Sequence, residues 1–136
     1  ELIATYDLGT FPMRVQSLNR TLIDKVFAVC DYYMQRKAHR NARHLYDIYK
    51  LTEHVEIDDD FLKLVKEVRA HRIAMGSEIA PAAPLDVDIL ELVRKVCDED
   101  FYKEDYRETT LKLISDSLEY EMLKKHYREL VEKVFE

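Results

Sequence analysis

The sequence predicts a mainly α protein, a helical bundle with a short β remnant at its N-terminus. Three observations lead there. The 136 residues include only two Gly and three Pro, the residues that loops and turns consume. From about Asn19 onward, apolar residues recur at three- and four-residue spacing through most of the chain. Only residues 1–18 read otherwise, with strand-like runs at Leu2-Ile3-Ala4-Thr5-Tyr6 and Met13-Arg14-Val15-Gln16-Ser17-Leu18, separated by Gly9 and Pro12. Two lone strands do not make a stable sheet in water. The expected organisation is therefore a strand remnant over residues 1–18, the end of a sheet lying upstream, and a helical domain over 19–136.

The elements follow in order. Leu22, Val26, Val29, Cys30 and Tyr33 form the stripe of a first helix, which Asn19 or Thr21 would cap, with Asp24 three residues after Thr21 as in a capping box. The basic stretch Arg36-Lys37-Ala38-His39-Arg40-Asn41 interrupts the pattern. A second helix is expected from about Ala42 to Glu53. A third follows Asp58-Asp59-Asp60, whose charges suit a helix N-terminus, and stops near Gly76. Pro81 and Pro84 mark a linker, and a fourth helix runs from about Val87 to Cys97 with Asp86 as its expected N-cap. Shorter helical pieces over 101–115 lead to a last helix over 118–135, carrying Tyr120, Leu123, Tyr127, Leu130 and Val134.

Composition bounds the function classes. There is no 18-residue apolar run, hence no membrane span, and no secretory signal. Cys30 and Cys97 sit within apolar helical patterns, outside any CxxC pair, and read as buried small hydrophobes of a protein in a reducing cytoplasm. The net charge of −6 argues against strong non-specific nucleic-acid binding by the chain as a whole, without excluding a local basic patch. The chain opens on Glu1 rather than Met, so a piece of a longer protein is expected.

The first two helices carry the chemically least bland residues. Lys25 falls just outside the apolar stripe, beside Val29 and one turn from Thr21. Such a lysine either snorkels along the surface or lays its methylenes on the core and aims its ammonium at a cleft rim. On the second helix, Ala42, Leu45, Tyr46, Ile48, Tyr49 and Leu51 cover well over half the circumference, which calls for burial of most of it. A narrow polar strip remains: Arg43, Asp47, Lys50 and His54. Asp47 suits an intrahelical ion-pair ladder with Arg43 and Lys50, worth about 0.2–0.5 kcal/mol per pair. It is equally a site candidate, as a carboxylate on the one polar strip of a buried helix.

These residues carry a family resemblance. Arg20-Thr21-Leu22-Ile23-Asp24-Lys25-Val26-Phe27-Ala28 is similar to the "RTxxDKxxA" block of the AbiEii/AbiGii-type nucleotidyltransferase toxins of type IV toxin–antitoxin, abortive-infection systems. Arg40-Asn41-Ala42-Arg43-His44-Leu45-Tyr46-Asp47-Ile48-Tyr49 resembles the following "RxxRDxYDIY" block, in the family's order and at a family-like separation. The resemblance implies that the chain is the C-terminal half of an α/β nucleotidyltransferase-like protein. It implies Lys25 and Asp47 as the functional lysine and aspartate of a transferase cleft, with Arg43, Arg40 and Lys50 as substrate-binding residues. Phosphoryl chemistry fits such a pair, since a fixed ammonium offsets charge on non-bridging oxygens. His44 departs from the family pattern, standing where Asp is frequent.

The family's other motif, Gly-Ser followed by a spaced Asp-x-Asp on a sheet, holds Mg²⁺ and the nucleoside triphosphate. Only 24 residues precede Lys25 here, and among them Asp7 and Asp24 form no such pair. Gly76-Ser77, followed by Asp86 and Asp88, imitates the motif but follows a helix and runs into Pro81 and Pro84, where phosphate binding needs a strand opening into a helix. No metal ligand set is therefore expected in this segment, and the five His lack metal-ligand spacing. The basic stretch at 36–43 either contacts phosphates or is a solvated turn. The nine Tyr read mostly as core.

The resemblance implies an intact protein that transfers a nucleotide from an NTP to an RNA or other acceptor, needs Mg²⁺ and its upstream nucleotidyltransferase half, and is held in check by a cognate antitoxin in the cytoplasm. This segment alone would be inactive. The rival reading is a helical interaction or scaffold domain whose ion pairs are structural; a relative that keeps the fold without the chemistry is a third.

Overall fold

A row of apolar side chains one helical turn apart can be buried only if other elements wrap it, and that requirement organises the molecule. The computed structural model describes residues 3–4, 13–111 and 118–135. Helix α1 (Val15–Met34) is the axis. Leu18, Leu22, Val26, Phe27, Val29, Cys30 and Tyr33 along it are all buried. Packed against it are α2 (Arg43–Thr52), α3 (Asp59–Ala74) and α4 (Ile89–Asp98). A short α5 (Lys103–Asp105) continues into a π-helical turn (Tyr106–Thr110), and α6 (Tyr120–Phe135) closes the bundle against α2 and α4. The fold is mainly α, as expected.

At the N-terminus, β1 (Ile3–Ala4) pairs antiparallel with β2 (Met13–Arg14), Ile3 opposite Arg14 and Ala4 opposite Met13. The remainder of the first expected strand run, with Gly9 and Pro12, lies outside the described residues, as do residues 112–115 of the expected helical pieces. The second expected strand run is corrected: Val15 to Leu18 are helical. Leu18 is fully buried and stands one turn before Leu22, so the stripe starts a turn earlier than expected and the helix four residues before the Asn19 boundary. Asn19 and Thr21 lie inside α1 and cannot cap it.

Elsewhere caps decide the boundaries. Asp58 accepts the Phe61 N–H at 2.8 Å, with Asp59 and Asp60 in the first turn of α3. For α4 the cap is Asp88, which accepts the Glu91 N–H at 3.2 Å, and not the expected Asp86. Helix α2 has no side-chain cap of its own. Its N-terminus is satisfied from across the fold: buried Asp105 accepts the Arg40 N–H at 2.8 Å and the Ala42 N–H at 3.1 Å.

The turn before α2 is tight. Arg36 (φ 57°) and Arg40 (φ 64°) both adopt the left-handed conformation that glycine prefers. At the end of α1 the Lys37 N–H reaches Tyr32 O at 2.8 Å and the Arg36 N–H reaches Tyr33 O at 3.1 Å, the paired bonds of a Schellman motif. Arg36 offsets the strain by stacking over the Tyr33 ring at 4.6 Å and pairing with Glu99 at 3.2 Å.

The Pro-containing linker between α3 and α4 is held by side chains. Arg69 donates to Ala83 O (2.7 Å), Pro84 O (2.8 Å) and Val87 O (3.1 Å), while Asp31 accepts the Ala82 N–H at 2.8 Å. The core tyrosines also bond to backbone: Tyr127 to Val26 O at 3.0 Å and Tyr102 to Val29 O at 2.5 Å, both buried. Cys30 and Cys97 are free and buried, and burial pushes their thiols up to about 12 and about 11, so both stay protonated and inert.

Asp105→Ala strands two backbone donors at the start of α2, and is expected to lower stability by about 2–3 kcal/mol. Urea denaturation measures this as a lower midpoint at unchanged slope; an unmoved midpoint removes Asp105 from this role.

Candidate functional site

Most of the circumference of α1 is apolar and covered, and a polar face remains beside it. Thr21, Lys25, Ala28 and Tyr32 succeed one another at three- and four-residue spacing there, with Asp24 and Asp31 alongside. They form the floor of an open cleft of about 400 Å³. His44 of α2 supplies one wall; Arg72 and Met75, at the end of α3, and Ile79 of the linker supply the other.

Lys25 and Asp47 come together at the rim. Asp47 is carried by a helix whose neighbouring positions Tyr46 and Ile48 are buried, which fixes the rotation of α2 and turns the carboxylate toward α1. Lys25 Nζ donates to Asp47 Oδ2 at 2.9 Å. The side chains keep 24% and 17% of their exposure, so the pair is partly desolvated yet reachable from solvent. Asp47 is thus bound across helices, to α1.

A second ion-pair group lies at the other end of the floor. Arg72 Nη2 meets Asp31 Oδ2 at 2.5 Å and Arg72 Nη1 meets Asp24 Oδ1 at 3.1 Å. Asp31 is 4% exposed and Arg72 12%, whereas Asp24 keeps 41% and faces the opening. Between the two groups His44 stacks on Tyr32, with ring centroids 5.7 Å apart and planes within 9°. Burial, with a further contribution from the Lys25 charge, lowers the His44 imidazole to about 4. It is neutral at physiological pH. Its Nδ1 is buried without a hydrogen-bond partner.

The other expected substrate-binding residues lie apart from this lining. Arg40 is exposed in the turn before α2, its backbone N–H bonded to Asp105. Arg43 is exposed in the first turn of α2. The Lys50 ammonium lies 5.9 Å from the Tyr46 ring centroid. Sequence reasoning passed over Arg72, Asp31 and Tyr32. The spacing 21–25–28–32 marked the α1 face, but nothing local marked Arg72, whose partners Asp31 and Asp24 are 41 and 48 residues away.

Among the described residues no group of three or more His, Cys, Asp or Glu is gathered as a metal site would require. The described residues do not gather the carboxylates that a magnesium centre needs. Asp88 of the Gly76-Ser77 imitation is engaged as the α4 cap, and Asp86 is exposed two residues before it. Among the described residues no helix is long and apolar enough to cross a membrane.

The fold and this site define a mainly α bundle in which a lysine and an aspartate from consecutive helices pair beside an open cleft. The model of a family described as nucleotidyl transferase AbiEii toxin, type IV TA system, matches residues 2–136. The chain belongs to that family. No curated protein and no solved structure matches it.

His44 makes the site sensitive to acid. An unfolded imidazole takes up its proton near 6.5, while the folded one resists until about 4. Protons therefore favour the unfolded chain across that window, and stability falls as pH drops through it. His126, also lowered by burial, acts in the same direction. Chemical denaturation at pH 7 and pH 4.5 should show a smaller loss in His44→Gln than in the native chain; equal losses would exclude His44 as a source.

Proposed function

We propose that the intact protein transfers a nucleotide from an NTP to a hydroxyl of an RNA or other acceptor, and that this chain provides the helical wall of the transferase cleft. The carrying observation is the 2.9 Å bond between Lys25 and Asp47 at the cleft rim. In the reaction the acceptor oxygen forms a bond to the α-phosphorus, the bond from that phosphorus to the bridging oxygen of pyrophosphate breaks, and the acceptor proton is released. Negative charge concentrates on the non-bridging oxygens during transfer. A fixed ammonium beside them stabilises that arrangement more than the ground state.

Asp47 holds the Lys25 stem in one orientation, so little reorganisation accompanies charge development. Lys25 has two N–H groups beyond the one given to Asp47, and these are the donors available to a phosphate oxygen. Arg43, Arg40 and Lys50 serve, in this reading, as outer contacts for the acceptor's phosphates. Divalent metal and its carboxylate ligands belong to the upstream nucleotidyltransferase half, as the family's Gly-Ser and Asp-x-Asp motif implies. A cognate antitoxin in the cytoplasm completes the system.

The scaffold reading has one observation in its favour. Arg72, Asp31 and the Ala82 N–H show that ion pairs on this same face can be structural. The two readings separate on the rim pair. In the intact protein, Lys25→Ala and Asp47→Ala are each expected to reduce nucleotide transfer about 100-fold or more. Melting temperature should change by only a few degrees, as befits a partly exposed pair worth about 1 kcal/mol. Toxicity retained together with a large loss of stability would favour the scaffold.

The 136-residue chain, incubated with Mg²⁺ and each NTP, should show no nucleotidyl transfer to RNA or to itself. Turnover by this chain would place the metal site within it and overturn the division of labour.

A further inference from the structure

We infer that Asp105 is a positioning residue of the rim pair: from the segment before the π-helical turn it holds the start of α2 against α1, and so sets where Asp47 is presented to Lys25. That the pair serves nucleotide transfer rests on the reading above; that Asp105 sets the pair rests on geometry alone.

A helix is usually capped by its own N-terminal residue, and such a cap travels with the helix wherever it sits. Helix α2 lacks one. Ala42 stands at its N-cap with no side-chain bond, and Asn41 gives its amide to Lys37 O at 2.8 Å. No acidic residue lies in the first turn, where Arg43 adds positive charge to an end already positive. Asp105 supplies both the acceptors and the negative charge from another part of the chain. Its two oxygens accept the Arg40 N–H at 2.8 Å and the Ala42 N–H at 3.1 Å, and Oδ1 lies 3.7 Å from His39 Nδ1. A cap of this kind fixes the start of the helix relative to the element that provides it.

That element is in turn tied to α1. Thr109 Oγ1 donates to the Asp105 carbonyl at 2.7 Å, the Tyr106 N–H donates to Tyr102 O at 2.9 Å, and the Tyr102 hydroxyl donates to Val29 O at 2.5 Å. Phe101 meets Tyr33 edge to face, with ring centroids 5.0 Å apart. Val29 lies one turn beyond Lys25 on α1, and Asp47 one turn beyond Arg43 on α2. The contacts close a ring that runs from Lys25 through Val29, Tyr102, Asp105, Ala42 and Asp47 back to Lys25. Buried Tyr46 and Ile48 hold the middle of α2, but a helix of 10 residues frays readily from an unheld end. Fraying of the first turn opens the helical bond between the Asp47 N–H and Arg43 O, and lets the carboxylate swing away from Lys25.

The test compares lysine acylation rates, read by mass spectrometry, in the native protein and in Asp105→Asn, which keeps the side-chain shape but loses one acceptor and the charge. Lys124 is the internal control: it is 22% exposed, against 24% for Lys25, and is bonded to Asp100 at 2.8 Å. Asp105→Asn should speed acylation of Lys25 about fivefold, the scale of a lost partly exposed ion pair and the level reached by Asp47→Asn, with Lys124 unchanged. An unchanged Lys25 rate would overturn the inference, and so would Lys25 and Lys124 rising together, which marks general loosening. If Asp105→Asn does not fold, hydrogen exchange of the native protein decides. The Arg40, Ala42 and Asp47 amides are expected to open together; an Asp47 amide that opens only with the whole chain, while Ala42 opens far more often, refutes the role. In the intact protein Asp105→Asn should lower kcat for nucleotide transfer about tenfold at nearly unchanged KM. Transfer left intact by Lys25→Ala and Asp47→Ala sinks the transferase reading instead, and the acylation rates still decide whether Asp105 sets the pair.

Discussion

A helix covered on most sides has few directions in which to send polar side chains, and α1 gathers Thr21, Asp24, Lys25 and Asp31 on one side. Leu18, Leu22, Val26, Phe27, Val29, Cys30 and Tyr33 are buried. The core tyrosines bind the α1 carbonyls of Val26 and Val29. Any rotation of α1 would bury Lys25 or Asp24 and expose a core side chain, at a cost of about 1.5–3 kcal/mol for each large apolar residue exposed. Packing therefore fixes the azimuth of α1, and the azimuth assembles the cleft. The site follows from the core.

The same logic explains why the charged residues around the cleft are paired. Asp31 is required by structure, since it accepts both the Arg72 guanidinium and the Ala82 N–H and thereby seats the linker against α1. Arg69 completes the task through three linker carbonyls. With Arg72 occupied in this way, Lys25 is left as the cation at the rim, and its partner comes from α2. The two ion pairs differ in burial: the Arg72–Asp31 bond lies at 12% and 4% exposure, the Lys25–Asp47 bond at 24% and 17%. Breaking the buried pair strands a charge, whereas the rim pair can exchange one partner for a ligand.

The turn between α1 and α2 shows how a distant residue sets local geometry. Arg36 and Arg40 take up left-handed conformations without the glycine that usually does so. Glu99 with the Tyr33 ring holds the first, and Asp105 holds the second through its backbone. That turn determines where α2 begins and hence how Asp47 is presented to Lys25. Asp105 thus acts on the site from outside it.

Much of this was legible in the chain itself. Helical spacing announced the bundle, Asp58 announced the start of α3, and the breadth of the apolar surface on α2 announced its burial. The two sequence blocks around Lys25 and Asp47 pointed to the family to which the chain belongs. Local patterns failed where long-range packing overrode them. Val15 to Leu18 alternate like a strand yet are helical, because Leu18 continues the buried stripe of α1. Asp88 caps α4 where Asp86 was expected, a choice made by where the linker is tied. Arg72 carried no signal, since its partners lie 41 and 48 positions away. Sequence alone determined that most of the chain is helical and which helix faces are apolar, because both are set within a few turns of chain. Only the tertiary structure decided that Lys25 meets Asp47, that Arg72 is already paired, and that a cleft lies between them. Those facts depend on how separate helices are rotated against one another, and it is core packing that sets those rotations.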